Sequence, residues 1–235
     1  MPAAGASSRF GGGAAKQHVA LAGRTVLDLA LQLFSDDERC LGIALALTPT
    51  ALADATLCNR LAAKVSPILG GSRRCDSVLA GLRALRERAA AEDWVLVHDA
   101  ARPCLSAGDL ERLLQAGAAH PLGALLAAPV TDTLKRADGA LGSECTVDRA
   151  PLWRALTPQM FRYGPLCAAL RSAVGAGREP TDEAQAMEWQ GGRPLLIAAQ
   201  DSNIKITSRQ DLAVAMAILA ARSGPAEDAA TGSTG

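Results

Sequence analysis

The feature that most constrains this 235-residue chain is an alternation between short, continuously apolar runs and longer segments with helical spacing. We predict strands at 42–47, 65–69, 94–97, 123–130 and 193–198. We predict helices at 24–34, 76–88, 109–116, 163–174 and 182–189, and a last helix that begins at Ser208. Strands that are apolar at every position, with helices between them, are typical of a parallel sheet covered on both faces. The pattern therefore predicts an α/β fold in three layers, with a mostly parallel twisted sheet flanked by helices.

The composition argues against several classes of function. Apolar residues make up 49% of the chain and its formal net charge is zero, so no overall field attracts nucleic acid or an anionic membrane. No apolar run approaches the roughly 20 residues of a membrane span, and no signal peptide is visible. The 6 cysteines stand apart without a C-x-x-C pair, which indicates reduced thiols. We therefore expect a cytoplasmic protein that binds neither nucleic acid nor membranes.

A turn pair interrupts the alternation in the second half of the chain. Asp138-Gly139 lies between two short runs, 133–135 and 146–148, and this pattern is typical of a β-hairpin. A hairpin that leaves a wound sheet needs a surface to pack on, so we predict that residues 134–157 form a protruding arm of a homodimer. Residues 1–222 would then form one domain. Residues 223–235 lack periodic apolar positions, so we predict a disordered tail.

The first residues predict a site for phosphate groups. The run from Pro2 to Gly12 is rich in small residues, contains Arg9 and is followed by Lys16. Small side chains let a backbone pass close to a polyanion with its N–H groups turned inward, and the two cations add the charge that phosphates require. The alternative is a flexible surface turn with two solvated cations, because a glycine-rich stretch alone is a weak signal.

Polar motifs follow three of the predicted strands. Gly70-Gly71 comes after the second strand, His98-Asp99 after the third and Asp132-Thr133 after the fourth. Ligands of parallel sheets bind beyond the carboxyl ends of the strands, so these motifs indicate a site at that edge. A plain strand-to-helix turn with an Asp or Ser cap is the alternative interpretation of the glycine motif.

Seven motifs occur in order along the chain. They are Pro2-Ala3-Ala4-Gly5 with Arg9 and Lys16-Gln17, Gly70-Gly71 with Arg74 and Asp76-Ser77-Val78, Val97-His98-Asp99-Ala100-Ala101-Arg102-Pro103, Asp132-Thr133, Leu156-Thr157-Pro158-Gln159, Thr181-Asp182-Glu183-Ala184 and Asn203-Ile204-Lys205. Together they resemble the 2-C-methyl-D-erythritol 4-phosphate cytidylyltransferase family of the nucleotidyltransferase superfamily, over nearly the whole chain. The resemblance implies a Rossmann-like nucleotidyltransferase fold. It also implies transfer of CMP from CTP to that polyol phosphate with Mg²⁺, in the non-mevalonate synthesis of isoprenoid precursors.

The resemblance further implies a role for each matching residue. The catalytic residues would be Arg9, Lys16, Arg149 and Lys205. The nucleotide would contact Pro2, Ala3, Ala4, Gly5, Ala6, Ser7, Gly70, Gly71, Ser72, Arg74, Ser77 and Ala100. The polyol phosphate would contact Asp99, Arg102, Thr133, Arg149, Thr157 and Lys205, with Arg149 serving the neighbour's site in a dimer. The candidate Mg²⁺ ligands are Asp99 and Asp201, although contacts to ribose or water suit both comparably.

The chain departs from the family pattern at its start. A buried strand leads into the glycine-rich loop in that family, and here the loop comes first, so we expect a first strand to be missing. Loss of a central strand would leave backbone groups unpaired, so a truncated, non-catalytic nucleotide-binding protein is one alternative. A ribitol 5-phosphate cytidylyltransferase, which shares the scaffold and similar motifs, is the other. Thr181-Asp182-Glu183-Ala184 is predicted simply as a capped helix start.

Overall fold

The computed structural model of the protein describes residues 1–4, 18–199 and 202–223. Its strands are β1 (Ala20–Leu21), β2 (Arg24–Thr25), β3 (Ile43–Leu47), β4 (Val65–Leu69), β5 (Trp94–Val97), β6 (Ala124–Pro129), β7 (Leu134–Ala137), β8 (Ser143–Val147), β9 (Trp153–Arg162) and β10 (Leu195–Ala198). Its helices are α1 (Val26–Asp36), α2 (Pro49–Leu52), α3 (Ala55–Asn59), α4 (Arg74–Leu85), α5 (Ala107–Ala119), α6 (Tyr163–Gly175), α7 (Glu183–Glu188) and α8 (Gln210–Ser223). Each predicted helix and strand is present: β4 and β5 coincide with the predicted runs, and the ends of the others differ by one to three residues.

The main sheet has four strands in the order β10-β6-β9-β5. β10 runs parallel to β6, whereas β9 runs antiparallel to both β6 and β5. A separate pair, β3 and β4, is parallel over its whole length. The predicted α/β class is confirmed, and β9 makes the main sheet mixed. The sequence patterns did not predict β9, because residues 153–157 fall within the expected arm and the strand carries polar residues; these five residues belong to the main sheet and not to the arm.

Two apolar clusters cover the sheet from opposite sides, which confirms the three layers. One cluster joins α1 and α5 to β3, and includes Leu27, Leu113 and Met160. The other joins α4 and α6 to the main sheet, and includes Leu166 and Phe161. Met160 and Phe161 are adjacent in β9 and point to opposite faces, as successive residues of a strand must. Both are at most 1% exposed, so β9 lies in the centre of the protein.

The first residues lie between the two sheets. Pro2 pairs in parallel with Ala46 of β3, and the backbone N–H of Ala100, just after β5, donates to the Pro2 carbonyl at 3.4 Å. Residues 1–3 therefore contribute a short pairing at the position predicted for a missing strand. A cavity of about 480 Å³ lies beside them, with β3 on one wall and β5 on the other.

The predicted hairpin is present as the antiparallel pair β7 and β8. The Asp138 carboxylate closes its turn by accepting from the backbone N–H groups of Ala140 and Gly142, at 2.9 and 2.7 Å. The role of this hairpin in dimerisation remains a prediction. The division of the chain into one domain and a disordered tail also remains a prediction, because residues 224–235 lie outside the described part of the chain. Within the described ranges, no helix combines the length and apolar character that crossing a membrane requires.

Candidate active site

Asp99, at the carboxyl end of β5, is the centre of a charged cluster. Its Oδ1 lies 3.0 Å from Nη2 of Arg74, and its Oδ2 lies 2.8 Å from Nζ of Lys205. Burial alone would raise the pKa of this carboxyl, but the adjacent Arg74 and Lys205 outweigh burial and hold it well below its ordinary value. Asp99 is therefore ionised at neutral pH, and it fixes two cations from distant parts of the chain.

Arg74 is shared between two carboxylates. It lies in the first turn of α4, and its Nη1 and Nη2 donate to the two carboxylate oxygens of Glu183 at 2.7 and 3.0 Å. Its Nε donates to Asp99 at 3.1 Å. Burial disfavours the charged guanidinium, but the two carboxylates prevail and raise the pKa of Arg74 above its ordinary value. Arg74 was expected to contact the nucleotide, but its N–H groups donate to the carboxylates of Asp99 and Glu183.

Arg102 presents a buried donor to the same cluster. Its Nη1 donates to the backbone carbonyl of Asn203 at 2.8 Å, which ties β5 to the segment that carries Lys205. Its Nε is buried and has no hydrogen-bond partner among the described residues, and it lies 4.0 Å from Oδ2 of Asp99. A buried N–H that is left unpaired costs free energy, so this group suits an anionic ligand.

Thr157 and His98 hold the backbone beneath Asp99. Nε2 of His98 lies 3.0 Å from the carbonyl of Arg102, which can only accept, so Nε2 carries the proton. Nδ1 must then accept from the Thr157 hydroxyl at 3.1 Å, and that oxygen in turn accepts from the backbone N–H of Asp99 at 3.1 Å. Thr157, predicted to contact the polyol phosphate, is buried and uses its hydroxyl within this chain of hydrogen bonds.

A glycine turn after β4 lies next to the first residues of the chain. A Cβ at Gly70 would come within 2.5 Å of the Ala4 Cβ and within 3.1 Å of Oγ of Ser77, so no side chain fits there. Oγ of Ser77 accepts from the backbone N–H of Gly71 at 3.0 Å. Ser72 extends the turn by donating to Asp76 at 3.3 Å. The structure therefore brings together predicted nucleotide-binding residues from the first segment of the chain and from the turn after β4. Ala100 lies next to them, hydrogen-bonded to Pro2.

The remaining predicted site residues either lie outside the described part of the chain or lie beside the β7–β8 hairpin. Gly5, Ala6, Ser7, Arg9, Lys16 and Asp201 lie outside the described residues. Arg149 and Thr133 flank the β7–β8 hairpin and are exposed, and the Arg149 guanidinium donates to the Thr131 carbonyl. Among the described residues, no hydrogen bond or ion pair joins Arg149 or Thr133 to the Asp99 cluster, so their predicted contacts with substrate remain predictions.

The described residues contain no preassembled cluster of metal-binding side chains. Both carboxylate oxygens of Asp99 already face cations, which disfavours Asp99 as a metal ligand in this arrangement. The described part of the chain contains no group of three or more His, Cys, Asp or Glu side chains placed to hold a metal ion. The prediction that Asp201 binds a metal stays untested.

The sequence patterns did not identify Glu183 as a buried member of the charged cluster. It follows the predicted cap residue Asp182, whose side chain accepts from the N–H of Gln185 at 2.8 Å as a cap should. Glu183 itself is 0% exposed and points to Arg74 instead of to solvent. An acidic residue that stands next to buried alanine and methionine positions on a short helix was the available signal.

The layered fold, with a cationic cluster and a tight glycine turn at the carboxyl ends of neighbouring strands, defines a nucleotidyltransferase. A family model described as 2-C-methyl-D-erythritol 4-phosphate cytidylyltransferase matches residues 1–221. The chain belongs to this family.

Relatives and solved structures agree with this assignment. A 2-C-methyl-D-erythritol 4-phosphate cytidylyltransferase of Acidithiobacillus ferrooxidans is 51% identical over 228 residues, covering 95% of this chain and 96% of the relative. The protein of that name from Xanthomonas euvesicatoria is 47% identical over 216 residues, covering 91% of this chain and 81% of the relative. The crystal structure of the Francisella tularensis enzyme of that name has a TM-score of 0.81 at 31% identity, covering 92% of this chain and 96% of that one. A 4-diphosphocytidyl-2C-methyl-D-erythritol synthase structure has a TM-score of 0.78 at 38% identity, with coverages of 88% and 95%.

Proposed function

We propose that the chain transfers CMP from CTP to the phosphate of 2-C-methyl-D-erythritol 4-phosphate and releases pyrophosphate, within the non-mevalonate synthesis of isoprenoid precursors. Membership of the cytidylyltransferase family supports this activity. The structural observation that carries the proposal is the cluster around Asp99, in which Lys205 and Arg102 converge beside the Gly70 turn.

The chemistry explains why a cationic cluster suffices. A phosphate monoester oxygen is already a competent nucleophile, so the reaction needs no general base. This oxygen attacks the α-phosphorus of CTP, a new P–O bond forms, and the bond between the α-phosphorus and the bridging oxygen breaks with its electrons leaving on pyrophosphate. The protein must therefore bring two anions together in line, which requires fixed cations and donors.

Two described residues suit the nucleophile. Lys205 uses one N–H on Asp99, so its ammonium keeps further donors for a phosphate, and its side chain is 40% exposed. Arg102 adds the unpaired buried Nε at the same side of Asp99. We propose that these two groups hold the polyol phosphate while Arg9 and Lys16 stabilise the charge that develops on the triphosphate.

Further components complete the proposal. A divalent cation, Mg²⁺, would enter with the triphosphate oxygens, since the described side chains form no site for it on their own. The arm would pair with a second copy of the chain in a cytoplasmic homodimer, so that Arg149 serves the neighbouring site. The support for this role is that the β7–β8 hairpin is mostly exposed and that, among the described residues, Arg149 does not join the Asp99 cluster of its own chain.

Release of pyrophosphate from CTP, Mg²⁺ and 2-C-methyl-D-erythritol 4-phosphate tests the activity, with ribitol 5-phosphate as the competing acceptor. We expect turnover with the methylerythritol substrate and little with ribitol 5-phosphate. Lys16→Ala and Lys205→Ala should each lower kcat/KM by about a hundredfold or more, because each removes charge stabilisation at the reacting phosphates. Lys64→Ala is the matched control, because Lys64 lies before β4, at the opposite end of that strand from the cluster. Unchanged turnover in Lys205→Ala would remove this residue from the reaction, and preference for ribitol 5-phosphate would refute the proposed substrate.

A further inference from the structure

Glu183 is a buried charge that the proposed reaction does not use directly. Its side chain is 1% exposed, and both of its oxygens bind the guanidinium of Arg74. A carboxylate buried in this way is costly unless it is paired, so its retention in the interior calls for a function beyond packing.

A line of alternating charges leads from Glu183 to the surface. Glu183 holds Arg74, Arg74 holds Oδ1 of Asp99, and Oδ2 of Asp99 holds Nζ of Lys205 at 2.8 Å. The line begins at a fully buried carboxylate and ends at an ammonium that is 40% exposed. Arg74 thus connects the interior of the protein to the residue proposed to hold the polyol phosphate.

The position of Glu183 is itself fixed by buried hydrogen bonds. The side-chain amide of Gln159 in β9 accepts from the backbone N–H of Ala184 at 2.8 Å and donates to Asp182 at 2.9 Å. Both contacts hold the first turn of α7 against β9, so Glu183 has little freedom to follow Arg74 if Arg74 moves. The fixed member of the line is therefore Glu183, and the exposed member is Lys205.

We propose that Glu183 is a positioning residue for the transfer reaction: by binding Arg74 on two oxygens, it orients the Asp99 carboxylate that places the Lys205 ammonium against the polyol phosphate. The inference rests on the proposed function, in which Lys205 holds the nucleophile. Without the charge on Glu183, Arg74 would have Asp99 as its only anionic partner in this cluster and would draw that carboxylate toward itself. Lys205 would then lose the orientation set by Oδ2.

Glu183→Gln tests the proposal, because it keeps the shape of the side chain and removes its charge. We expect kcat/KM for 2-C-methyl-D-erythritol 4-phosphate to fall between about tenfold and about a hundredfold, since misplacing a reacting group by an ångström has effects of this size. The KM for CTP should stay within about twofold of the wild-type value, because the line ends at the polyol phosphate. Glu188→Gln is the control, since Glu188 is exposed on the same helix. A merely structural role would lower stability and leave the ratio of the two KM values unchanged.

A second measurement does not depend on turnover. The chain has four lysines, at positions 16, 64, 135 and 205, so lysine labelled with ¹³C at the ε carbon gives few NMR signals. The Lys205 signal, assigned with Lys205→Arg, should shift in Glu183→Gln and stay in place in Glu188→Gln. If Glu183→Gln does not fold, Glu183→Asp, which keeps the charge but shortens its reach, should give smaller changes in the same direction.

The two measurements separate the two hypotheses. Wild-type protein that fails to turn over the methylerythritol substrate would refute the proposed function, whereas the NMR comparison would still decide whether Glu183 orients Lys205. A Lys205 signal that is the same in the wild type and the Glu183 variants, or an unchanged ratio of the KM for 2-C-methyl-D-erythritol 4-phosphate to the KM for CTP, would overturn the positioning role.

Discussion

His98 makes the stability of this protein depend on pH in a defined way. The ring is 1% exposed, and its two nitrogens are committed to the carbonyl of Arg102 and the hydroxyl of Thr157. Burial lowers the pKa of His98 from an ordinary 6.5 to about 4. The unfolded chain therefore binds a proton more tightly than the folded protein does, so the free energy of unfolding falls as the pH drops from about 6.5 toward about 4.

The size of this effect follows from the difference between the two pKa values. A difference of about 2.5 corresponds to about 3 kcal/mol of stability when it is fully developed at low pH. Between pH 7 and pH 5, His98 lowers the free energy of unfolding by about 2 kcal/mol. By pH 5 most of the unfolded chain has taken up the proton and little of the folded protein has.

Urea unfolding at pH 7 and pH 5 measures the effect in the wild type and in His98→Gln and His98→Asn. Each replacement keeps an amide that reaches one of the two partners and removes the titrating ring. We expect the wild type to lose about 2 kcal/mol more than either variant between the two pH values, whatever the variants' stability at pH 7. Equal losses in all three proteins would refute the buried, neutral state of the ring.

Two further predictions concern positions around the site. Gly70→Ala should lower the free energy of unfolding by about 1–3 kcal/mol in the same urea titration, because the new methyl group would overlap Ala4. Gly139→Ala, where nothing lies within 4 Å of the new methyl group, should change it by less than about 0.5 kcal/mol. Equal stabilities of the two variants would mean that Ala4 moves aside freely. Thr157→Val should cost about 1–3 kcal/mol, because it leaves Nδ1 of His98 and a backbone N–H unpaired, and Thr157→Ser should restore most of the loss. Val and Ser variants of equal stability would contradict the hydrogen bonds assigned to this hydroxyl.

The strands that the sequence predicts well are those whose signal is local. The runs 65–69 and 94–97 coincide with β4 and β5 because each is short and mainly apolar and ends at a clear break, a glycine pair or a polar pair. Their polar successors, Gly70 and Asp99, then lie at the expected edge of the sheet. The charged cluster could be located in this way, since its position depends on where strands end.

The parts that escaped prediction depend on contacts between distant segments. β9 contains the polar residues Thr157 and Gln159, and only their partners just after β5 and in α7 explain why they are buried in a strand. Glu183 lies 109 residues from Arg74, and no local pattern identifies such a pair. Charge pairs of this kind are formed by the fold and are not visible in the spacing of the sequence.

β9 imposes a limit on how chains of this kind can change in length. Residues 159–162 of β9 pair with β5 without a break, and the adjacent Met160 and Phe161 pack on opposite faces of the sheet. One residue inserted or deleted within 159–162 would turn the side chains on one side of the change to the opposite face. Insertions are therefore excluded from this part of the strand, but they can accumulate in the exposed turn at 138–142, where the hairpin can lengthen without disturbing the interior.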